Sequence, residues 1–278
     1  MKQVFFDLYR MLFARRRFAA LHRALVLLGL KGLGFLNSDS PRFSGEVAFL
    51  RNLLRIAPAE QLTVLDVGAH VGGYASAVKN LAPHATVYAF EPHPRTFERL
   101  QQAATQQGFQ AVHAGCGAES GQQQLYDYAT GDGSTHASLY REVIEVSHRQ
   151  QAVARKVQVL ALDDFASTHN LAAVHLLKID TEGNELQVLH GCQRMLQQAM
   201  IDVIQFEFGP MNVISRVFFR DFYALLPGYC FYHMLPNELV TIDLYDSLFC
   251  ELFVYHNVVA VRQDCVWAAA LQIRGSMA

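Results

Sequence analysis

The sequence predicts an α/β fold: a mostly parallel sheet with helices on both faces. Three observations carry that expectation. Short apolar runs alternate with helix-like segments from residue 46 to residue 261. The runs, Thr63–Val67 for example, lack the every-second polar residue of a half-exposed strand, so burial on both faces suits them. The first run ends in a glycine-marked turn, VLDVGAHVGGY, that opens a helix. The chain has 278 residues, 51% of them hydrophobic, enough for one sizeable core. It divides into a helical arm, 1–45, and one α/β domain, 46–278.

In order, a helix pattern opens at Ser44-Gly45-Glu46 and ends before Pro58. Thr63–Val67 reads as a strand, Gly73–Leu81 as a helix stopped by Pro83, and Thr86–Phe90 as a second strand. A helix over 95–107 closes at Gly108, and a third strand covers 110–114. Strands are predicted at 122–128 and 157–162, around the polar loop TGDGSTHAS. Val174–Ile179 is a buried strand, 184–198 a helix and 203–208 another strand. A helix over 216–226 ends at Pro227-Gly228, and strands at 229–235 and 252–261 close the sheet. The spacing of Phe218, Phe219, Phe222 and Tyr223 suits a core-facing helix stripe. Alternation of this kind places ligands outside the carboxyl ends of the strands, where the strand order reverses.

The segment 24–36, ALVLLGLKGLGFL, follows Arg10, Arg15, Arg16, Arg17 and Arg23. It has no small-residue cleavage site, is broken by Lys31, and falls short of the ~20 apolar residues that cross a bilayer. The plain expectation is an amphipathic arm packed on the core or on a partner subunit of a homodimer. The sharper one is a basic amphipathic helix resting peripherally on a membrane. The formal net charge is −2, with no basic surplus to neutralise phosphates, so no nucleic-acid partner is expected. Five scattered cysteines without a C-x-x-C pair suit a reducing cytoplasm.

Gly68 and Gly72 bracket Ala69, His70 and Val71, a spacing that turns the backbone tightly and admits a ligand. The helix behind them offers N–H donors. Glu91, nineteen residues past Gly72 and followed by Pro92, ends the next strand, where an acid can bridge two ribose hydroxyls. A dinucleotide turn wants G-x-G-x-x-G, and residue 70 is His. Asp66 faces the same turn, and an acid there suits a cationic ligand, which favours S-adenosylmethionine over NAD.

The blocks VLDVGAHVGGYAS, AFEPHP, LALDDF, LLKIDTEGNELQVLHGC and VIQFEFG, in that order, resemble the FkbM family of S-adenosylmethionine-dependent methyltransferases. GFLNSDSPRFSGEVAFL resembles the lead-in of bacterial members, and the resemblance spans roughly 33–260. It implies a class I, Rossmann-like methyltransferase fold with an antiparallel seventh strand. It implies O-methylation of hydroxyls, mainly on sugars or natural products. Carried over, Asp66, Gly68, Ala69 and Gly72 resemble the methionine-binding turn, Glu91 the ribose acid and Cys116 the residue against adenine. His70 stands where the family usually has Asn.

The expected activity is O-methyl transfer to a hydroxyl of a glycan or glycosylated metabolite. The alternatives are an inactive methyltransferase-like binding protein and an NAD-dependent sugar-modifying enzyme. A sugar hydroxyl needs its proton taken as the new bond forms, and three carboxylates qualify. Asp180 ends the strand Val174–Ile179, where it could instead bind the methionine ammonium of the cofactor, and Glu182 follows two residues on, where it equally suits a helix N-terminus. Glu207 interrupts FEF, where an apolar residue is expected, so it should face the cleft or pair with Lys178 or an Arg. His136, on the polar loop, is placed to cover the site. Asp163 and Asp164 read as capping the helix at Phe165 rather than as metal ligands, and no metal is expected. Glu185 and His190 read as surface or packing residues.

Overall fold

The computed structural model describes residues 2–37, 41–56, 62–129 and 133–271. Eleven strands are present among them: β1 (Thr63–Val67), β2 (Thr86–Phe90), β3 (Gln110–Val112), β4 (Gly115–Cys116), β5 (Gly121–Tyr128), β6 (Ala152–Leu160), β7 (Val174–Ile179), β8 (Ile201–Phe208), β9 (Tyr229–Met234), β10 (Leu239–Ile242) and β11 (His256–Arg262). The main sheet runs β10-β9-β11-β8-β7-β1-β2-β3. Its β8-β7-β1-β2-β3 half is parallel throughout, whereas β11 lies antiparallel between β8 and β9. This is the class I, Rossmann-like methyltransferase arrangement, with its antiparallel strand in place and β10 added at one edge. The order reverses between β1 and β7, so their carboxyl ends define the cleft. A second sheet, β4-β6-β5, stands over the same end.

Two apolar cores cover the two faces. Residue alternation sends Leu65, Val67, Leu177, Ile179, Ile204, Phe206 and Phe208 to one core, with Phe219 and Phe222 packed on them. Val64, Leu176, Val203 and Val259 enter the other, against Leu50 and Leu53 of the helix Glu46–Ile56 and Trp267. Phe218, by contrast, is exposed and Tyr223 half-buried.

Several boundaries differ from expectation. The helix 184–198 is two, Glu185–His190 and Gln193–Gln197. The break is stabilised from outside: the Asp163 carboxylate accepts from the Arg194 and Met195 N–H groups, at 2.8 and 3.0 Å. Asp163 therefore caps this second helix and not its own, Leu162–Thr168, whose first turn contains it. The strand 157–162 instead starts at Ala152, because half-buried Arg155 and exposed Lys156 conceal its first half. The helix 216–226 shortens to Phe219–Leu225, with Pro210–Ser215 preceding it. The strand 252–261 begins only at His256, after an irregular stretch over 251–255 that follows the helix Ser247–Cys250, capped by Asp246 accepting from Leu248 N–H.

The arm forms the helices Lys2–Phe13 and Ala19–Gly32. The second buries no residue, so packing on the core is not what holds it. The chain enters the core only at Phe35, 1% exposed, whose ring meets His233 and His256 at 4.8 and 4.4 Å. Next to it, Leu36 N–H donates to the Tyr255 carbonyl at 2.8 Å. No helix of the described residues is long and apolar enough to cross a membrane.

Candidate active site

The turn after β1 is shaped by contact with the end of β7. Asp180 N–H donates to the Val67 carbonyl at 2.9 Å, which brings the two strand ends together. Gly68 has φ +80°, and a Cβ there would lie 1.7 Å from the Asp180 carbonyl oxygen. Only glycine fits both the dihedral and the space. Gly68 and Ala69 N–H groups donate to the Phe90 carbonyl, Gly72 N–H to Ala69, and His70 N–H to Glu91 Oε2 at 3.1 Å. These four amides are engaged within the protein, so the turn itself contributes shape to the cleft. Gly72 and Ala69 lie behind the wall, and Ala69 is buried.

Glu91 is the acid that the turn presents. Its other oxygen accepts from His93 N–H at 2.8 Å. Burial raises its pKa to about 7 against the opposing pull of those N–H groups. The cleft beside it holds about 740 Å³, its open mouth included. Gly68, His70, Glu91, Pro92, Cys116, Asp180 and Glu182 line it, as the sequence anticipated. Leu125, Ala137 and Leu139 add apolar wall, and burial pushes the Cys116 thiol up.

Residues 133–139 of the polar loop close one side. Ser134 donates from N–H and Oγ to the buried Asp127 carboxylate, and Ser138 Oγ donates to the Glu182 carbonyl at 2.8 Å. Ser134 and Thr135 face the cleft, whereas His136 turns away from it. The His136 ring stacks on His148 at 4.1 Å and meets the Tyr128 hydroxyl at 2.7 Å. Residues 130–132 of that loop lie outside the described residues.

Behind the cleft runs a polar row set by strand register. Asp66 pairs with Lys178, and Lys178 with Gln205, across β1, β7 and β8. Alternation points all three to one face, where Tyr74 donates to Gln205 at 2.6 Å and Gln205 to Glu46 at 2.8 Å. Lys178 Nζ donates to Asp180 Oδ2 at 2.8 Å. Burial alone would lower the Lys178 ammonium, but Asp180, Asp66, Glu46 and Glu207 together hold it above its ordinary value. Asp66 is fully buried, and neither carboxylate oxygen has a hydrogen-bond partner. Burial raises its pKa to about 6, opposed by Lys178. Asp66 thus stands beneath the cleft, with Lys178 as its cationic neighbour, and does not line it.

Glu182 and Glu207 share a recess that adjoins the main cleft, with Glu185, Met211, Asn212 and Tyr255. Glu182 lines both spaces and so joins them. Its pKa rises to about 8, first through burial and then through Asp180 and Glu185. Burial, Asp180 and Glu182 raise Glu207 likewise, and the Tyr255 hydroxyl donates to it. Glu207 therefore pairs with a tyrosine and forms no ion pair with Lys178 or an Arg among the described residues. Glu182 and Glu207, each raised by burial and by the same neighbour, Asp180, do not both ionise freely at neutral pH. Such a cluster can retain one proton or take one up. No group of three His, Cys, Asp or Glu side chains among the described residues is arranged to hold a metal.

A sequence model of the Methyltransferase FkbM domain matches residues 66–229 of this chain. The chain belongs to the FkbM methyltransferase family. Methyltransferase 1 of Beauveria bassiana is 31% identical over 160 residues, which cover 51% of this chain and 64% of that protein. The hexuronic acid methyltransferase AglP of Haloferax volcanii is 25% identical over 166 residues, 59% of this chain and 64% of its own. The chain thus spans just under two thirds of the length of these relatives. An O-methyltransferase of Bacillus cereus in complex with SAH superposes over 92% of this chain and 96% of its own, at 12% identity and a TM-score of 0.41.

Within this FkbM domain, residue 70 has φ +50°, a left-handed conformation that Asn and His tolerate better than most side chains. That is a physical reason for His where the family usually has Asn. The structure also decides the reading of Glu185 as a surface or packing residue in favour of packing. It is 1% exposed, and its Oε1 accepts from Thr181 N–H, Thr181 Oγ1 and Gly183 N–H at 3.0–3.1 Å. It therefore braces the turn that presents Glu182, which itself has φ +53°. The second Glu of KIDTEGNE was the available signal. Tyr255 and Asp127 were missed because their partners are 48 and 7 residues away and no local pattern marks them.

Proposed function

We propose that this FkbM methyltransferase uses S-adenosylmethionine to O-methylate a sugar hydroxyl in a glycan or glycosylated metabolite. The observation that carries the reading is the joining of two spaces by Glu182. One space has a ribose-type acid, Glu91, beside a tight glycine turn, and the other has a buried carboxylate–tyrosine pair, Glu207 and Tyr255.

The residues fit the cofactor. Glu91 is fixed by one N–H on each oxygen, leaving lone pairs toward the cleft for a vicinal diol. Pro92, Cys116, Leu125 and Leu139 offer an apolar slot for a flat base. The surplus of carboxylates around Lys178 suits a ligand that carries positive charge. When bound, S-adenosylmethionine supplies an activated methyl group and a sulfur leaving group.

The chain's own part is positioning and proton management. Aligning acceptor and donor contributes up to ~7–11 kcal/mol in favourable systems, and a well-placed base ~10²–10⁴-fold. Glu182, with its pKa near the working pH, takes the hydroxyl proton, and Asp180 beside it favours that uptake. Glu207 and Tyr255 stand behind Glu182 in a recess with room for about one water, so the acceptor itself enters through the main cleft. The relative named as a hexuronic acid methyltransferase supports a sugar as the acceptor class.

Two measurements test the proposal. Titration calorimetry should give saturable heat with S-adenosylmethionine and S-adenosylhomocysteine; no heat with either, while NADH binds, overturns it. Mass spectrometry with methyl-labelled cofactor and a glycan panel should then reveal a labelled ether. Cofactor binding without transfer to any acceptor would instead favour a binding protein.

A further inference from the structure

The arm is unlike the rest of the chain. Residues 1–36 contain seven Lys and Arg against one acid, Asp7, a net of +6, which leaves −8 on the remainder. Its helices also display their apolar side chains. Fourteen large apolar residues between 4 and 33 are exposed, with Phe5, Met11, Val26 and Leu28 all above 60% or at it. Rings hold the hairpin together: Tyr9 meets His22 across the two helices at 5.8 Å, and Phe13 meets Phe18 of the connecting turn at 5.3 Å. Arg15, Arg16 and Arg17 are exposed at the joint between them.

We infer that this helical hairpin docks the protein on the surface of an anionic lipid membrane. Ala19–Gly32 is apolar around most of its circumference yet buries nothing, a pattern water does not favour. The helices of 12 and 14 residues are about 18 and 21 Å long, too short for the ~30 Å hydrocarbon layer, so they lie in the interface. A second copy of the chain is the competing occupant, but it would bring two +6 arms together. Anionic headgroups complement that charge while the acyl boundary takes Phe5, Val26 and Leu28. The anchor at Phe35 and Leu36 ties the hairpin to Tyr255, on the wall of the Glu207 recess, so docking holds that recess near the lipid surface.

The test uses the full chain in vesicle co-sedimentation, independent of any methyl transfer. Vesicles of equal phosphatidylglycerol and phosphatidylcholine should pellet the protein, and pure phosphatidylcholine should pellet far less. Raised salt should weaken binding, as should the triple variant Arg15→Gln/Arg16→Gln/Arg17→Gln, by about 10- to 100-fold in partition coefficient. The double variant Val26→Ser/Leu28→Ser should lower binding to both vesicle types. Thermal melts verify that each variant folds. Equal binding to both vesicle types, no binding, or analytical ultracentrifugation showing an arm-dependent dimer that ignores vesicles would overturn the inference.

Discussion

Asp180→Asn removes one negative charge from the meeting point of cleft and polar row while preserving shape. Asp180 accepts from Lys178 Nζ at 2.8 Å, and the two side chains are 31% and 7% exposed. Breaking a fully buried pair costs about 3–5 kcal/mol. Here Asp180 reaches solvent, Asn retains an acceptor, and Lys178 still has Asp66, Glu46 and Glu207 around it. The expected loss is therefore about 1–2 kcal/mol, a drop in Tm of a few degrees for a chain of this size. The chemical effect should exceed the structural one. Asp180 is, after burial, the leading cause of the raised Glu182 and Glu207 values, so neutralising it moves Glu182 down from about 8. A base of lower pKa is weaker though more fully ionised below pH 8, so the fall in turnover, at least about tenfold or ~1.4 kcal/mol of barrier, is read on the plateau above that pH. The assay is labelled-methyl transfer across pH on an acceptor from the mass-spectrometric screen, with calorimetric melting alongside. The acidic limb of the rate profile should move to lower pH. A wild-type rate with an unmoved limb would refute the assignment of Asp180 to the reacting site.

Gly68→Ala places a methyl 1.7 Å from the Asp180 carbonyl oxygen at φ +80°, so the turn or the end of β7 must move by more than 1 Å. S-adenosylhomocysteine binding should be lost in calorimetry, with at least about 1–2 kcal/mol of destabilisation; unchanged binding would contradict the role of the turn. Glu185→Ala leaves three donors without their acceptor, two of them backbone N–H groups, and should destabilise by about 3 kcal/mol or more in urea unfolding. In the ligand-free protein, Glu182 titrates at about 8 and Glu91 at about 7, against 4.5 for an ordinary Glu. Between those values these two acids hold more protons in the fold than in the unfolded chain. Buried His233 and His256, lowered from 6.5 to about 4 and about 3, act in the opposite sense up to about 6.5. A net fall in stability is therefore expected as pH rises from about 6.5 to about 8, and a rising Tm over that window would sink the burial argument.

Much of this protein was legible in one dimension. β1, β2, β7 and the helix Gly73–Leu81 have the bounds that hydrophobic runs, Pro83 and the glycine turn predicted. These elements are specified by local chemistry: apolar runs that must be buried and breakers that must end them. The candidates Gly68, His70, Glu91, Pro92, Cys116, Asp180 and Glu182 converge on one cleft because the carboxyl ends of parallel strands all open on one side. The sequence thus determined which strands exist, which of their ends carry chemistry, and that the arm is basic and apolar at once.

Tertiary structure decided what those residues touch. Asp66 moved from the cleft to a buried row because register sets it against Lys178. Glu207 found Tyr255, and Glu185, read as a surface or packing residue, became the brace beneath Glu182. The arm lost its expected seat on the core, because Phe35 is where its chain enters the apolar interior. Periodicity reports whether a side chain must leave water. Which partner meets it there depends on strand register and chain crossings, and those belong to the folded chain as a whole.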